Sequence, residues 1–172
     1  MLLKVYIIIL FCISSTVYSQ NNWRCVEGDC VNGNGVSLDN QGIRYEGSFE
    51  SGLKSGKGKQ VDADGNTYSG QWKNDSPNGK GTYTVNGGEK YTGMFVQGLY
   101  HGNGVIIYPN GDRYTGEFKK DKRSGYGSML YLSEKKLYVG KWSKDKPHGS
   151  GIIYNLSAAK SVKYNKGVVV TK

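Results

Sequence analysis

Three cysteines, two histidines and a cluster of lysines are the side chains of this 172-residue chain best suited to chemistry. Cys25 and Cys30 are close enough in sequence for a small disulfide loop, worth roughly 2 kcal/mol in an oxidising compartment. A zinc site would need further ligands, and no second cysteine pair or neighbouring histidine supplies them. His101 and His148 occupy equivalent points of a repeat and would lie roughly 19 Å apart in a sheet, too far to share a metal or a substrate atom. A histidine base also needs a nucleophile and an orienting group within reach, and the sequence marks neither. The Gly-x-Gly pairs do not open helices, so they are not phosphate cradles. The expectation is a protein without catalytic residues, metal or cofactor.

The basic residues pose a different question. Lys73, Lys119, Lys120, Lys122, Arg123, Lys144 and Lys146 gather in segments that read as turns, within a chain of formal net charge +9. Such a stripe could dock on acidic phospholipid or another polyanion, each cation adding about 1 kcal/mol near an anionic membrane. It could equally be a solvated edge that keeps the protein soluble and discourages sheet aggregation. A nucleic-acid target is not expected in an exported protein.

Export is read from the N-terminus. Lys4 is the only charge in the first 23 residues, Val5 to Ile13 is unbroken and apolar, and Val17-Tyr18-Ser19 precedes Gln20. Residues 1–19 therefore read as a secretory signal. The apolar run is shorter than the roughly 20 residues a membrane span requires, so no transmembrane span is expected in the mature chain. Cleavage would remove Cys12, leave Cys25 and Cys30 as a pair, and deliver the protein to a periplasm, cell envelope or extracellular space.

The elements that position these residues follow from a repeat. Tyr45-Glu46-Gly47-Ser48-Phe49 recurs as Tyr68 to Trp72, Tyr91 to Phe95, Tyr114 to Phe118 and Tyr138 to Trp142, at steps of 23, 23, 23 and 24 residues. A glycine pair follows each time: Gly56/Gly58, Gly79/Gly81, Gly102/Gly104, Gly125/Gly127 and Gly149/Gly151. A period of this length means a solenoid or array. Tyr, Gly and Phe or Trp at i, i+2 and i+4 share one face of a strand, and a second strand is expected from the glycine pair onward. Turn formers lie between them, Lys73 to Asn78 with Pro77 and Ser143 to His148 with Pro147. Asp64-Gly65, Gly87-Gly88 and Asn110-Gly111 predict tight turns between repeats, and Leu132 to Leu137, which carries the extra residue, predicts a longer loop. Glycine at 26 and tyrosine at 14, against proline at 3, suit this β-rich reading and exclude a collagen-like chain. The fold class is all-β: tandem β-hairpin repeats in one elongated, twisted antiparallel sheet of about a dozen strands.

This pattern resembles the MORN repeat family (membrane occupation and recognition nexus). The resemblance covers 45–151 fully, with five repeats expected over 45–159, a degenerate half-repeat with the cysteines at 20–44, and a capping segment at 160–172 in which Tyr164 stands for the aromatic. It implies a curved sheet of stacked hairpins acting as an adaptor, tether or scaffold, with some link to acidic phospholipid. Tyr45, Phe49, Tyr68, Trp72, Tyr91, Phe95, Tyr114, Phe118, Tyr138 and Trp142 are expected to form two aromatic rows, either the core or a wet binding face for a glycan or peptide. Gly167 to Val170 is an apolar terminal strand that could pair with a second copy or an envelope protein. A purely structural spacer is the remaining reading.

Overall fold

The computed structural model describes residues 23–155, 159–165 and 167–169. The leader expected at 1–19 and the terminal Val170 lie outside them. The described strands form one antiparallel sheet in strict chain order, so each strand pairs with its neighbours in sequence. A first hairpin joins β1 (Trp23–Gly28) to β2 (Asn34–Asp39). The five repeats supply β3 (Arg44–Glu50) and β4 (Leu53–Val61), β5 (Thr67–Lys73) and β6 (Ser76–Thr84), then β7 (Lys90–Val96) and β8 (Leu99–Ile107). They continue with β9 (Arg113–Lys119) and β10 (Lys122–Tyr131), then β11 (Lys136–Ser143) and β12 (Lys146–Tyr154). A last pair, β13 (Ala159–Asn165) and β14 (Val168–Val169), completes fourteen strands where about twelve were expected, because both terminal segments fold as whole hairpins.

The repeated tyrosines and glycines explain how a single layer builds a core. Gly47 of β3 is registered against Gly58 of β4, and the Tyr45 ring lies across both. The same floor recurs in every repeat: a methyl group on Gly104 would stand 2.6 Å from Cε2 of Tyr91. Bare backbone thus replaces the second layer that a sheet ordinarily needs. Each tyrosine hydroxyl donates to the carbonyl three residues on, as Tyr45 to Ser48 at 2.9 Å and Tyr91 to Met94 at 2.8 Å, so its polar tip is satisfied. The indole nitrogens of Trp72 and Trp142 donate to the Gly58 and Gly127 carbonyls at 3.1 and 3.2 Å.

The turns differ from expectation. Within each repeat the strands are joined by two residues in the left-handed region: Ser51-Gly52, Asn74-Asp75, Gln97-Gly98, Lys120-Asp121 and Lys144-Asp145. This type I′ geometry matches the twist of the strands it connects. Pro77 and Pro147, read as turn formers, instead lie in β6 and β12, and these second strands start ahead of the glycine pairs. The Asp-Gly, Gly-Gly and Asn-Gly dipeptides sit in wider loops, 62–66, 85–89 and 108–112. The connection expected to be long is the shorter one, 132–135, because its extra residue extends β10 and β11.

One rule governs how successive hairpins lock at the turn edge. The second turn residue donates its N–H to a carbonyl of the preceding hairpin, as Asp75 to Lys54 at 3.1 Å and Gly98 to Pro77 at 2.9 Å. Where that preceding residue has a free N–H, the turn residue is aspartate and its carboxylate accepts it: Lys54 to Asp75, Tyr100 to Asp121 and Arg123 to Asp145, each 2.8 Å. Where it is proline, with no N–H, the turn residue is glycine, as in Pro77–Gly98 and Pro147–Gly167. Gly52 completes the pattern, since the Val31 N–H already donates to Asp29 at 2.8 Å.

Candidate functional site

The five tyrosines and their aromatic partners are buried, and they form one zigzag of edge-to-face contacts rather than two separate rows. Tyr45 meets Phe49 and Trp72, and Tyr68 meets Trp72 and Phe95, at centroid distances of 4.9–5.1 Å. Tyr91 meets Phe95 and Phe118, Tyr114 meets Phe118 and Trp142, and Tyr138 meets Trp142, at 5.1–5.4 Å. Tyr164 ends the series 5.3 Å from Tyr138, in the place of a second aromatic. None of the ten is more than 5% exposed. They are core, and together they offer no continuous wet face for stacking a ligand. Burial pushes the phenols of Tyr45, Tyr68, Tyr91 and Tyr138 up to about 12.

The predicted basic residues divide in two. Lys73, Lys119, Lys120, Lys122, Lys144 and Lys146 are exposed at the turn edge. Lys119 and Lys122 stand directly opposite one another across the β9–β10 turn, an arrangement that costs stability. Arg123 does not belong with them. It is registered against Phe118, so it points to the aromatic face, where its guanidinium lies 4.6 Å from the Trp142 ring and 5.7 Å from Tyr114. Its Nε meets Asp145 at 3.4 Å, and its Nη2 donates to the Asp145 carbonyl at 2.8 Å.

Cys25 and Cys30 are bonded as a disulfide within the first hairpin. His101 and His148 sit on β8 and β12, four strands apart. Among the described residues no three His, Cys, Asp or Glu side chains gather as a metal set, and no helix is long and apolar enough to cross a membrane. The surface opposite the aromatic face changes along the array. Ser69, Thr82 and Thr92 occupy its middle, whereas Val139, Ile152 and Tyr154 are exposed at its C-terminal end.

Sequence reasoning missed the shared role of the residue five positions after each second aromatic: Lys54, Pro77, Tyr100, Arg123 and Pro147. Each is registered against that aromatic and covers the inner face beside it. The Lys54 ammonium lies 5.2 Å from both the Tyr45 and Trp72 rings and donates to Gln60 Oε1 at 2.6 Å. Burial lowers its pKa, against the opposing charge of Asp75. Tyr100 stacks on Tyr91 at 3.7 Å. At Pro77 a hollow of about 400 Å³ opens over Tyr68 and Phe95. The signal that would have found these positions was variation at a fixed phase of an otherwise constant repeat.

The MORN repeat family matches the chain at 45–67, 68–89, 91–113, 114–131 and 138–154, with the same repeat starts that the tyrosines mark. No curated protein matches it. Among solved structures, the chain is similar to the SAS-4 (dCPAP) TCP domain of Drosophila melanogaster, whose structure holds a proline-rich motif of dSTIL. That likeness is 12% identity over 76% of this chain and 72% of that one, with a TM-score of 0.49, and nothing about function follows from it. With five matched repeats along one sheet, this is a repeat-based binding or scaffold protein, and the chain belongs to the MORN repeat family.

Proposed function

We propose that the protein is an exported, non-enzymatic array that docks on acidic phospholipid at the cell envelope through the turn edge of its C-terminal half. The observation that carries this reading is the group Lys119, Lys120, Lys122, Lys144 and Lys146, all exposed on two successive hairpins. Turns repeat every second strand, roughly 10 Å apart, so these cations fall within the span of a few lipid headgroups. Asp121 and Asp145, the acids of the same turns, each have one oxygen bound to a backbone N–H of the preceding hairpin. The unrelieved Lys119–Lys122 pairing is a stability cost that an anionic surface would remove.

Co-sedimentation with phosphatidylcholine vesicles, and with vesicles containing phosphatidylglycerol, tests this at low and physiological salt. Binding should be confined to the anionic vesicles and weaken as salt screens the lysines. Replacing Lys119, Lys120 and Lys122 by Ser should abolish it without lowering the melting temperature. Equal binding to neutral vesicles, or binding that survives the triple substitution, would refute the reading.

A second reading rests on the terminal strand. Val168 and Val169 are 67% and 44% exposed, and β14 pairs with β13 on one side only among the described residues. Pairing of two copies through this edge would appear as a concentration-dependent dimer in sedimentation velocity, removed by Val168→Lys. A monomer at all concentrations would exclude it.

A further inference from the structure

We propose that the hollow at Pro77 is a socket for one arginine side chain of a partner protein. The argument comes from the chain's own repeats and does not rest on the lipid reading. In the repeat before this one, Lys54 sets its ammonium over the tyrosine of its own repeat, Tyr45, and the second aromatic of the next, Trp72. Two repeats after it, Arg123 sets its guanidinium over the corresponding pair, Tyr114 and Trp142. The pair at the hollow is Tyr68 and Phe95, in the same edge-to-face contact at 4.9 Å. Pro77 occupies the position from which Lys54 and Arg123 reach, but its ring is too short to cover that pair. The protein therefore sets its own cations over two such pairs and Tyr100 over a third, Tyr91 and Phe118, while over Tyr68 and Phe95 it sets neither.

The surroundings suit the same occupant. The hollow holds about 400 Å³ and is lined by Pro77, Tyr68, Phe95, Tyr100, Asp75 and Asp121 among others. Tyr100, stacked on Tyr91, borders the hollow, and the Tyr68 ring at its base gives a face on which a guanidinium plane can lie. Asp75 and Asp121 each commit Oδ1 to a backbone N–H, and Oδ2 takes no hydrogen bond from any described residue. Lys54, over Tyr45 and Trp72, is held on Gln60 and answered by Asp75, while Asp121 has no ion-pair partner among the described residues. An incoming guanidinium would thus meet aromatic faces and an unanswered carboxylate, the combination that Arg123 finds at Trp142 and Asp145. A lysine would satisfy the charge, but its ammonium has no plane to lay on the Tyr68 ring. A neutral sugar would stack yet leave Asp121 unanswered.

The test uses the full ¹⁵N-labelled chain and two synthetic peptides, acetyl-Gly-Ser-Gly-Arg-Gly-Ser-Gly-amide and the same peptide with citrulline for arginine. Citrulline keeps the shape and removes the charge. The arginine peptide should shift the Trp72 indole and Tyr100 amide resonances saturably in the millimolar range, at least tenfold more tightly than the citrulline peptide. Asp121→Asn retains the acceptor for the Tyr100 N–H and should weaken binding at least fivefold at low salt. The double substitution Pro77→Arg with Gly98→Asp copies the Arg123–Asp145 arrangement into the hollow and should abolish the shifts. Equal response to both peptides would point to neutral stacking and overturn the proposal. So would no response up to 20 mM arginine peptide, or undiminished binding by a folded double variant. The citrulline comparison requires no variant, so poor folding of the substituted chains would not leave the matter open.

Discussion

A double-mutant cycle on Pro77 and Gly98 measures the lock between successive hairpins. Gly98 has φ +80°, and a side chain there would find nothing nearer than Pro77 Cδ at 4.0 Å. Gly98→Asp therefore meets no clash, and its cost is the left-handed backbone alone, about 1 kcal/mol. Pro77→Ala gives the unfolded chain more freedom, for about 0.4–1 kcal/mol, and creates an N–H with no partner. Independent effects would sum to roughly 1.5–2 kcal/mol. The lock predicts otherwise: together the two changes recreate the geometry of Lys54 and Asp75, where carboxylate and amide meet at 2.8 Å. That hydrogen bond is worth about 1 kcal/mol at a half-exposed site, so the double variant should be less damaged than the sum by that amount. Urea denaturation followed by tryptophan fluorescence gives the coupling. Hydrogen exchange at residue 77 checks its location, with about fivefold slower exchange in the double variant than in Pro77→Ala. A coupling below about 0.5 kcal/mol, within ordinary additivity error, would refute the rule.

Three further outcomes are expected. Gly104→Ala drives a methyl into the Tyr91 ring and should cost about 2–3 kcal/mol in urea unfolding, whereas Gly98→Ala, where space is open, should cost about 1. Arg123→Ala should destabilise by about 1–2 kcal/mol while leaving vesicle binding intact, since its guanidinium packs on Trp142 and Tyr114 and not on the exposed edge. The pH dependence follows from the buried phenols. Their folded pKa values, about 12 for Tyr45, Tyr68, Tyr91 and Tyr138, exceed the ordinary value of 10.0, so above pH 10 the unfolded chain loses protons first. Stability should be flat with respect to these groups below pH 9 and fall steeply between 10 and 12. Phenolate absorbance at 295 nm should rise together with unfolding, and full ionisation of a folded chain at pH 11 would show the rings to be open to water.

The sequence made the inner face legible because the reason for its pattern is local. A tyrosine ring needs a bare floor on its own strand and the next, so Tyr, Gly and Gly recur in one phase. The turns were harder to read because their chemistry is split between repeats. Asn74-Asp75 and Lys144-Asp145 contain no glycine, and each aspartate is explained only by an N–H on the preceding hairpin. Pro77 and Pro147 looked like turn residues for the same reason, since nothing nearby in sequence shows that their carbonyls alone are used. Arg123 was grouped with Lys119, Lys120 and Lys122 by proximity. Strand parity separates them, because Arg123 faces Phe118 whereas Lys122 faces Lys119.

The choice of Asp or Gly at each turn also constrains how such a gene can shorten. Excising residues 91–113, one period of 23, would bring Asp121 against Pro77, a strained left-handed aspartate with no amide to accept. Excising 68–90 instead would bring Gly98 against Lys54, leaving only a water-accessible N–H. Losing both periods at once would set Asp121 against Lys54, a fully matched junction. Repeats are therefore not freely interchangeable units. Each carries at its turn a record of its upstream neighbour, and loss of a tyrosine–glycine pair of repeats should be tolerated better than loss of the second alone.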